Sequence, residues 1–252
     1  MGLARERGWL VTGEVVAIIP ARGGSVGIPR KNLQRVGGET LVARAVHSAR
    51  VAASIHRVVV STDDAEIADD ARRAGAFVVS RPADLATFTA SSESALLHTM
   101  GALDSPISIV VMLQATSPFI DPRDLDAAVS RVSAGEADVV FAAVATPVFL
   151  WRPAGGPAAG WEGVNHDAAV RARRQDLPPQ VAETGAFYAM RASGLLAAKH
   201  RFFGRVEPLV VDERFAVDID TEAQLEIARA LATVHQGFRG TAAVPASEES
   251  LS

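Results

Sequence analysis

The chain has 252 residues, a length that allows one large α/β domain or two small ones. Hydrophobic residues make up 48% of it, which allows a substantial core and argues against a disordered chain. It contains no cysteine, which excludes disulfides, thiolate chemistry and zinc–thiolate sites. Its formal net charge of -4 argues against a broad nucleic-acid-binding surface, because such surfaces are usually basic.

The chain opens with residues that carry no pattern of regular structure, and residues 1–13 are predicted to be a flexible tail. Residues 1–14 have neither the apolar core nor the cleavage signal of a secretory leader. No apolar run in the chain reaches membrane-spanning length. We therefore expect a cytoplasmic protein that binds neither membranes nor nucleic acid.

Short apolar runs then alternate with amphipathic stretches. The predicted strands are Val15–Ile19, Arg57–Val60, Phe77–Val79, Ile107–Leu113 and Val139–Val144. The predicted helices are Leu41–Val51, Ala65–Gly75, Ser92–Leu103 and one that runs to about Ser133 from an N-cap at Asp121 with Pro122 in its first turn. This alternation predicts an α/β fold with a mostly parallel, Rossmann-like sheet that helices cover on both faces.

The alternation stops between about residues 146 and 180. This segment contains Phe149, Trp151 and Trp161, which are costly to leave in water, together with a cluster of arginines. An irregular stretch of this length in a compact domain is usually functional or part of an interface, although a flexible linker is the alternative. We predict a protruding arm that mediates a homodimer.

Regular patterns resume after the arm and end in a helix. The predicted segments are Ala186–Met190, Val206–Val211 and Phe215–Ile219, and a capping box at Thr221 to Gln224 begins the last helix. We expect a single domain over residues 14–236 and a second flexible tail over residues 237–252.

The most informative motif lies where the first predicted strand ends. From Ile18 to Asn32 the chain reads IIPARGGSVGIPRKN, a glycine-rich loop that carries Arg22, Arg30 and Lys31. Glycines allow the backbone N–H groups to approach an anion closely, and the cationic side chains add charge-assisted hydrogen bonds to phosphate. The loop is neither a Walker loop nor a GxGxxG motif. It predicts a phosphate site, and the alternative is a solvated basic turn.

Other polar groups also follow predicted strands, at the edge of the sheet where α/β proteins bind ligands. Asp218 and Asp220 are two apart in a predicted strand, which would point both carboxylates to one place. Mg²⁺ favours a few carboxylates completed by waters and substrate phosphates, so this pair is the predicted metal site. The alternative is an exposed strand end that leads into the last helix.

Two further polar groups could bind a ligand, but their residue types do not identify which one. Gln114 follows a buried strand, where it either ends the strand or reads a sugar hydroxyl or amide. Arg171, Arg173 and Arg174 suit a carboxylate or a phosphate, because arginine binds either in a bidentate manner; a solvated basic face is the alternative.

The sequence also resembles a known family. The segment ARGGSVGIPRKN, from Ala21 to Asn32, is similar to the N-terminal motif of the acylneuraminate cytidylyltransferases, the CMP-sialic acid synthetases. Further matches follow in that family's order, from about Val15 to Ala232. They are Ser61-Thr62-Asp63, Arg81-Pro82, Thr89-Ala90-Ser91-Ser92, the LQATSP of 113–118, the RRQDLP of 173–178, Gly185-Ala186-Phe187-Tyr188 and the DIDTE of 218–222.

The resemblance implies a fold of the nucleotide-diphospho-sugar transferase type and a set of site residues. It assigns CTP to the following residues: Arg22, Gly23, Gly24, Ser25, Lys31, Asn32, Arg81 and Ser92. It assigns the acceptor sugar to Gln114, Thr116, Ser117, Arg173 and Arg174, with the two arginines on a dimerisation arm that reaches the partner's site. Arg22, Lys31, Asp218 and Asp220 are then the catalytic residues, the last two as ligands of Mg²⁺.

The implied reaction moves CMP from CTP to an acidic α-keto sugar such as an N-acylneuraminate and releases pyrophosphate. Four residues depart from the family's usual pattern: Val26 replaces a lysine, Phe88 an aspartate, Val181 a tyrosine and Thr184 an asparagine. Two alternatives therefore stay open. One is a different acceptor, such as an eight-carbon keto sugar acid or a phosphonate, and the other is a catalytically weakened relative that binds nucleotide or sugar.

Overall fold

A computed structural model describes residues 13–25, 27–155, 160–171 and 173–239. Most of the two predicted tails, residues 1–12 and 240–252, and the departure at Val26 lie outside the described residues. No helix in the described part of the chain is both long enough and apolar enough to cross a bilayer.

The elements follow the predicted alternation over the first 145 residues. In chain order the strands are β1 Glu14–Pro20, β2 Arg35–Val36, β3 Glu39–Thr40, β4 Arg57–Thr62, β5 Phe77–Ser80, β6 Ile107–Leu113 and β7 Val139–Ala145. The helices among them are α1 Leu41–Val51, α2 Ala65–Arg73, α3 Ser92–Gly101 and α4 Pro122–Ser133. Asp121 caps α4 as predicted, because its carboxylate accepts from the N–H of Arg123 at 2.9 Å.

The rest of the chain contains more strand than predicted. In chain order the remaining elements are β8 Trp151–Pro153, β9 Trp161–Gly163, β10 Val181–Arg191, α5 Ala192–Ala198, β11 Val206–Val210 and α6 Glu222–Arg239. β8 and β9 form a short antiparallel hairpin inside the segment predicted to be irregular. The last helix runs to Arg239, so residues 237–239, predicted to be tail, are helical.

Seven strands form one sheet in the order β11-β7-β10-β6-β1-β4-β5. Every neighbouring pair is parallel except those of β10, which runs antiparallel to both β6 and β7. The predicted mostly parallel sheet is therefore confirmed. The reversed direction of β10 brings its first residues to the edge at which the parallel strands end.

Residues of each strand alternate between two cores. On β1, Val15, Ala17 and Ile19 pack with residues of α1, α2, α4 and α6, whereas Val16 and Ile18 pack with residues of α3 and α5. Helices thus cover both faces, and the strand interiors read as continuous apolar runs because neither face meets water. The carboxyl edge of the sheet remains as the place for polar side chains.

The predicted strand Phe215–Ile219 is wrong. Glu213–Phe215 form one turn of 3-10 helix and the chain from Ala216 to Asp220 has no regular structure. The capping box that follows is confirmed: the N–H of Thr221 donates to Oε1 of Gln224 at 2.9 Å, and the N–H of Gln224 donates to the Thr221 hydroxyl at 3.3 Å.

Candidate active site

The glycine-rich loop leaves β1 and is held against the end of β4. The N–H of Ala21 donates to the carbonyl of Ser61 at 2.9 Å, which extends the strand pairing by one residue. The N–H of Gly23 then donates to the carboxylate of Asp63 at 3.0 Å. A Cβ at Gly23 would lie 2.8 Å from Oδ2 of Asp64, so only glycine fits here without a shift.

The far end of the loop is fixed by a buried amide. Asn32 is 8% exposed, and its Nδ2 donates to the carbonyl of Arg22 at 2.9 Å. Lys31, Asn32 and Leu33 form a single 3-10 turn, entered through Arg30 with φ of 52°. Asn32 therefore closes the loop on itself, a supporting role that the resemblance alone did not indicate.

Lys31 meets the second predicted catalytic group directly. Its Nζ lies 2.9 Å from Oδ1 of Asp220, and the lysine side chain is 17% exposed against 67% for the aspartate. Gly27 makes this approach possible, since a Cβ there would come within 2.5 Å of the Asp220 carbonyl oxygen. The structure thus joins the predicted phosphate loop to the predicted metal site.

The geometry of the aspartate pair differs from the prediction because the two residues do not lie on a strand. Between them, Ile219 is fully buried and its N–H donates to the carbonyl of Thr116 at 3.0 Å. Asp220 contacts Lys31, whereas Asp218 lies on the side of Gln114: a Cβ at Gly185 would be 3.5 Å from Oε1 of Gln114 and 3.8 Å from Oδ2 of Asp218. The pair therefore spans the two halves of the site.

The donor set suits a hard cation. Oδ1 of Asp218 is buried and has no hydrogen-bond partner within the described residues, which leaves a carboxylate oxygen available to an ion. No group of three or more His, Asp or Glu side chains in the described segments is placed to hold a metal. Two carboxylates are still compatible with Mg²⁺, which completes its shell with waters and substrate phosphates.

The predicted acceptor residues of the LQATSP segment follow β6. The N–H of Gln114 donates to the carbonyl of Ala186 at 3.0 Å, and the N–H of Ser117 donates to the carbonyl of Gln114 at 3.1 Å. Thr116 Oγ1 lies 3.5 Å from Gln114 Oε1. Ser117 is 2% exposed, so the structure places its hydroxyl beneath the surface that Gln114 and Thr116 help to form.

Arg81 lies on the opposite side of the loop. It is buried, and its guanidinium donates to the carbonyl of Ser61 at 2.5 Å and to the Ser61 hydroxyl at 3.2 Å. Burial lowers the pKa of Arg81; the charge of Asp63 opposes this effect, and the positive charge of Arg22 adds to it. The predicted nucleotide residues Arg22 and Arg81 are therefore close enough to repel each other.

Arg22 also reaches the segment before α3. Its guanidinium donates to the carbonyl of Thr87 at 2.7 Å, and its Cζ is 5.8 Å from the centre of the Phe88 ring. Ser92, which the resemblance assigns to CTP, is the first residue of α3 and is partly exposed. The residues predicted to bind the nucleotide thus come from three separate parts of the chain.

A partly buried polar network links α3 to β10, and sequence analysis did not find it. Arg201 donates to Glu93 at 2.7 Å, and its Cζ lies 4.8 Å from the centre of the Tyr188 ring. The Tyr188 hydroxyl donates to the Glu183 carboxylate. Burial, followed by the hydrogen bond and charge of Glu183, raises the pKa of Tyr188. Glu93 and Arg201 are 108 residues apart, so no local spacing could have paired them.

The arginines of the arm make their contacts within the arm. Arg173 donates to Asp176 at 2.7 Å, Arg171 lies with its Cζ 4.8 Å from the centre of the Phe149 ring, and Arg174 is exposed. Trp151 and Trp161 are 49% and 67% exposed. The described contacts therefore do not bring Arg173 and Arg171 to Lys31 of the same chain.

Three described residues that differ from the usual pattern of the resembled family lie in different surroundings. Phe88 contacts Arg22 as above, whereas Val181 is exposed at the start of β10. Thr184 stabilises the irregular stretch of β10, since its hydroxyl donates to the Ala142 carbonyl at 3.1 Å and accepts from the N–H of Ala186 at 3.3 Å. It therefore has a structural role beside the acceptor residues.

Comparison with known proteins identifies the family. A family model described as Cytidylyltransferase matches residues 16–156. The chain is 31% identical over 219 residues to N-acylneuraminate cytidylyltransferase A of Danio rerio, covering 85% of this chain and 50% of that protein. It therefore spans about half the length of this and the other fish relatives that it matches.

A bacterial relative matches over nearly its full length. The chain is 30% identical over 232 residues to a pseudaminic acid cytidylyltransferase of Campylobacter jejuni, covering 87% of this chain and 97% of that protein. Among solved structures, a CMP:2-keto-3-deoxy-manno-octonic acid synthetase complexed with CTP is similar with a TM-score of 0.67 and 19% identity, covering 88% of this chain and 99% of that one. At that identity the likeness shows the fold, and it confirms the fold type expected from sequence.

Proposed function

This chain belongs to the cytidylyltransferase family, and we propose that it transfers CMP from CTP to an acidic α-keto sugar such as an N-acylneuraminate. The acceptor hydroxyl oxygen attacks the α-phosphorus of CTP, the bond to pyrophosphate breaks, and the hydroxyl proton is released. The observation that carries the proposal is the 2.9 Å contact between Lys31, from the predicted phosphate loop, and Asp220, from the predicted metal site.

The glycine-rich loop holds the triphosphate in this proposal. Nucleotidyl transfer needs positioning and charge neutralisation more than it needs covalent chemistry from the protein. Lys31 and Arg22 supply positive charge, and the loop N–H groups supply further donors. Asn32 and Asp63 hold that loop in place through their bonds to Arg22 and Gly23.

Asp218 and Asp220 would hold Mg²⁺, for which the unsatisfied oxygen of Asp218 supplies support. A bound Mg²⁺ would neutralise phosphate charge and polarise a coordinated oxygen. With the ion bound, Asp220 would pair with it in place of Lys31, and the lysine would then be free for phosphate.

The acceptor is proposed to lie beside Gln114 and Thr116. Gln114 lies against Gly185 on the same side as Asp218, so an acceptor held there is near the proposed metal. Relatives named for two different acceptors match at 31% and 30% identity, which supports the class of keto sugar acids without selecting one. The paired Lys31 and Asp220 speak against a purely binding relative.

The test is an acceptor panel. We expect pyrophosphate and a CMP-sugar to appear when the protein is incubated with CTP, Mg²⁺ and a keto sugar acid, and not when ATP, GTP or UTP replaces CTP. N-acylneuraminate, pseudaminic acid, an eight-carbon keto sugar acid and a phosphonate should be compared. Turnover with the phosphonate alone would establish the alternative acceptor, and CTP binding without pyrophosphate from any of the four would establish the weakened relative.

The arm of residues 146–180 is proposed to form a homodimer. Val148, Leu150, Trp151, Trp161 and Val170 are all exposed in the single chain, from 49% to 74%. Several exposed apolar side chains in one segment are costly to leave in water, and a second copy would cover them. Arg173 and Arg174 would then serve the partner's acceptor site.

Mixed dimers test the shared site. Mixing Lys31→Ala subunits with Arg174→Ala subunits should restore activity, because one of the two sites in each mixed dimer then has neither defect. Pyrophosphate release from purified mixed dimers is the measurement.

Lys31→Ala mixed with Asp220→Asn is the matched control. Both residues belong to the same subunit's site, so every site in that mixed dimer keeps one defect and activity should not return. A protein that is monomeric at working concentration, or recovery in the control pair equal to that in the test pair, would disprove the shared site.

A further inference from the structure

Phe88 is exposed beside the phosphate loop. The ring is 72% exposed, in the segment of residues 86–91 that joins a short 3-10 turn to α3. Single exposed apolar side chains are common on protein surfaces, so exposure alone decides nothing. The position of the ring is more informative, because Phe88 directly follows Thr87, whose carbonyl accepts a hydrogen bond from Arg22.

One contact involves the ring itself, and a second holds the residue before it beside Arg22. The Arg22 guanidinium donates to the Thr87 carbonyl at 2.7 Å, and its Cζ lies 5.8 Å from the Phe88 ring centre. Ser91 follows three residues later and caps α3 by accepting from the N–H of Ser94 at 3.1 Å. The ring thus lies beside Arg22, in the segment that leads into α3, with most of its surface exposed.

We propose that Phe88 stacks on the cytosine base of CTP. The inference rests on the proposed function, since it takes CTP as the nucleotide. With the triphosphate on Arg22 and Lys31, the base is the part of CTP that has a flat apolar face to offer. Aromatic side chains bind bases by stacking, and the exposed ring beside Arg22 is available for this.

A different role for the ring would give different results. If Phe88 only oriented Arg22 through the cation–π contact, its loss would lower the affinity for every ligand that binds through phosphate. If Phe88 contacted the acceptor sugar, its loss would leave CTP binding unchanged. If Phe88 stacks on the base, its loss would weaken the binding of CTP and leave the binding of inorganic triphosphate unaffected. Comparing these two ligands therefore distinguishes the three roles.

The experiment measures Kd by calorimetry for CTP and for inorganic triphosphate, each with Mg²⁺. In Phe88→Ala we expect the Kd of CTP to rise by at least about fivefold and up to about 100-fold, the range that stacking on one base supports. The Kd of triphosphate should change less than about twofold by the same argument. Phe88→Trp keeps an aromatic face, so its CTP affinity should stay near that of the wild type.

Phe77→Ala is the matched control. Phe77 is 64% exposed and also has an arginine beside it, with Cζ of Arg57 5.6 Å from its ring centre. It lies at the first residue of β5, at the opposite edge of the sheet from the carboxyl ends. Loss of this exposed ring should leave the Kd of both ligands unchanged.

The Phe88→Trp variant adds a readout that does not require Phe88→Ala to fold. Its extra fluorescence over the wild type, which has its own three tryptophans, should change with CTP and not with triphosphate. An unchanged CTP Kd in Phe88→Ala, equal weakening of CTP and triphosphate, or no CTP response of that extra fluorescence would each overturn the stacking while leaving the proposed function intact. A wild-type protein that binds triphosphate but not CTP would overturn both.

Discussion

Replacing Lys31 with alanine is expected to lower kcat/KM by about 100-fold to 1,000-fold. A single charged or hydrogen-bonding donor aimed at developing charge contributes roughly 2.7–4 kcal/mol to the transition state. Val26 stands where the resembled family has a second lysine. We therefore expect Lys31 to supply more of the positive charge that neutralises the triphosphate. Pyrophosphate release at varied CTP concentration measures the effect.

Stability should hardly change in that variant. The Lys31–Asp220 pair is half solvated, with the aspartate side chain 67% exposed, and exposed ion pairs contribute only about 0–1 kcal/mol. The chain has one other lysine, Lys199, which ends α5. Lys199→Ala is thus the matched control and should turn over normally. Near wild-type kcat/KM in Lys31→Ala would remove the phosphate role from this residue.

Asp218→Asn and Asp220→Asn are each expected to raise the Mg²⁺ concentration needed for half-maximal rate, by about tenfold or more, and to lower kcat. The amide keeps the shape of the side chain but removes the charge that a hard cation requires. Rates measured over a Mg²⁺ titration, together with Mg²⁺ affinity by calorimetry, give the result.

Glu222→Gln controls for the loss of a nearby charge. Glu222 is exposed at the first residue of α6, two positions beyond Asp220, and should show wild-type Mg²⁺ dependence. Wild-type metal dependence in both aspartate variants would make the pair structural. A change confined to Asp220→Asn would instead indicate that the residue acts through Lys31 alone.

Local patterns predicted the local elements well. The helix Leu41–Val51 and the strand Ile107–Leu113 were predicted with the bounds that the structure has. The apolar residues of the helix recur with helical spacing, and those of the strand form an almost continuous run whose last five residues are buried. The strand predicted at Phe215–Ile219 was wrong. Apart from Ile219, the apolar residues of this segment are only partly buried, and the segment is not a strand of the sheet. Apolar character alone did not distinguish a strand from an ordered loop.

The tertiary contacts of the site could not be predicted from the sequence, for a physical reason. Motif order located Arg22, Lys31 and the aspartates, but no spacing revealed that Lys31 pairs with Asp220 or that Asp218 faces Gln114. Those contacts depend on where β10 and the residues after β11 lie, and the reversed direction of β10 has no local signal. The buried Glu93–Arg201 pair was missed for the same reason.

The Lys31–Asp220 contact has a consequence for how the protein folds. It joins residues 189 apart, so the loop entropy of nearly the whole chain must be lost before it forms. The strands β1, β4, β5 and β6 all lie within the first 113 residues and are neighbours in the sheet, so that half can assemble early, with the glycine-rich loop on it. Contacts between distant residues form slowly. A chain that has emerged only as far as β6 would therefore carry the glycine-rich loop without Asp218 and Asp220. We expect Lys31 to meet Asp220 only when the segment before α6 reaches the finished sheet.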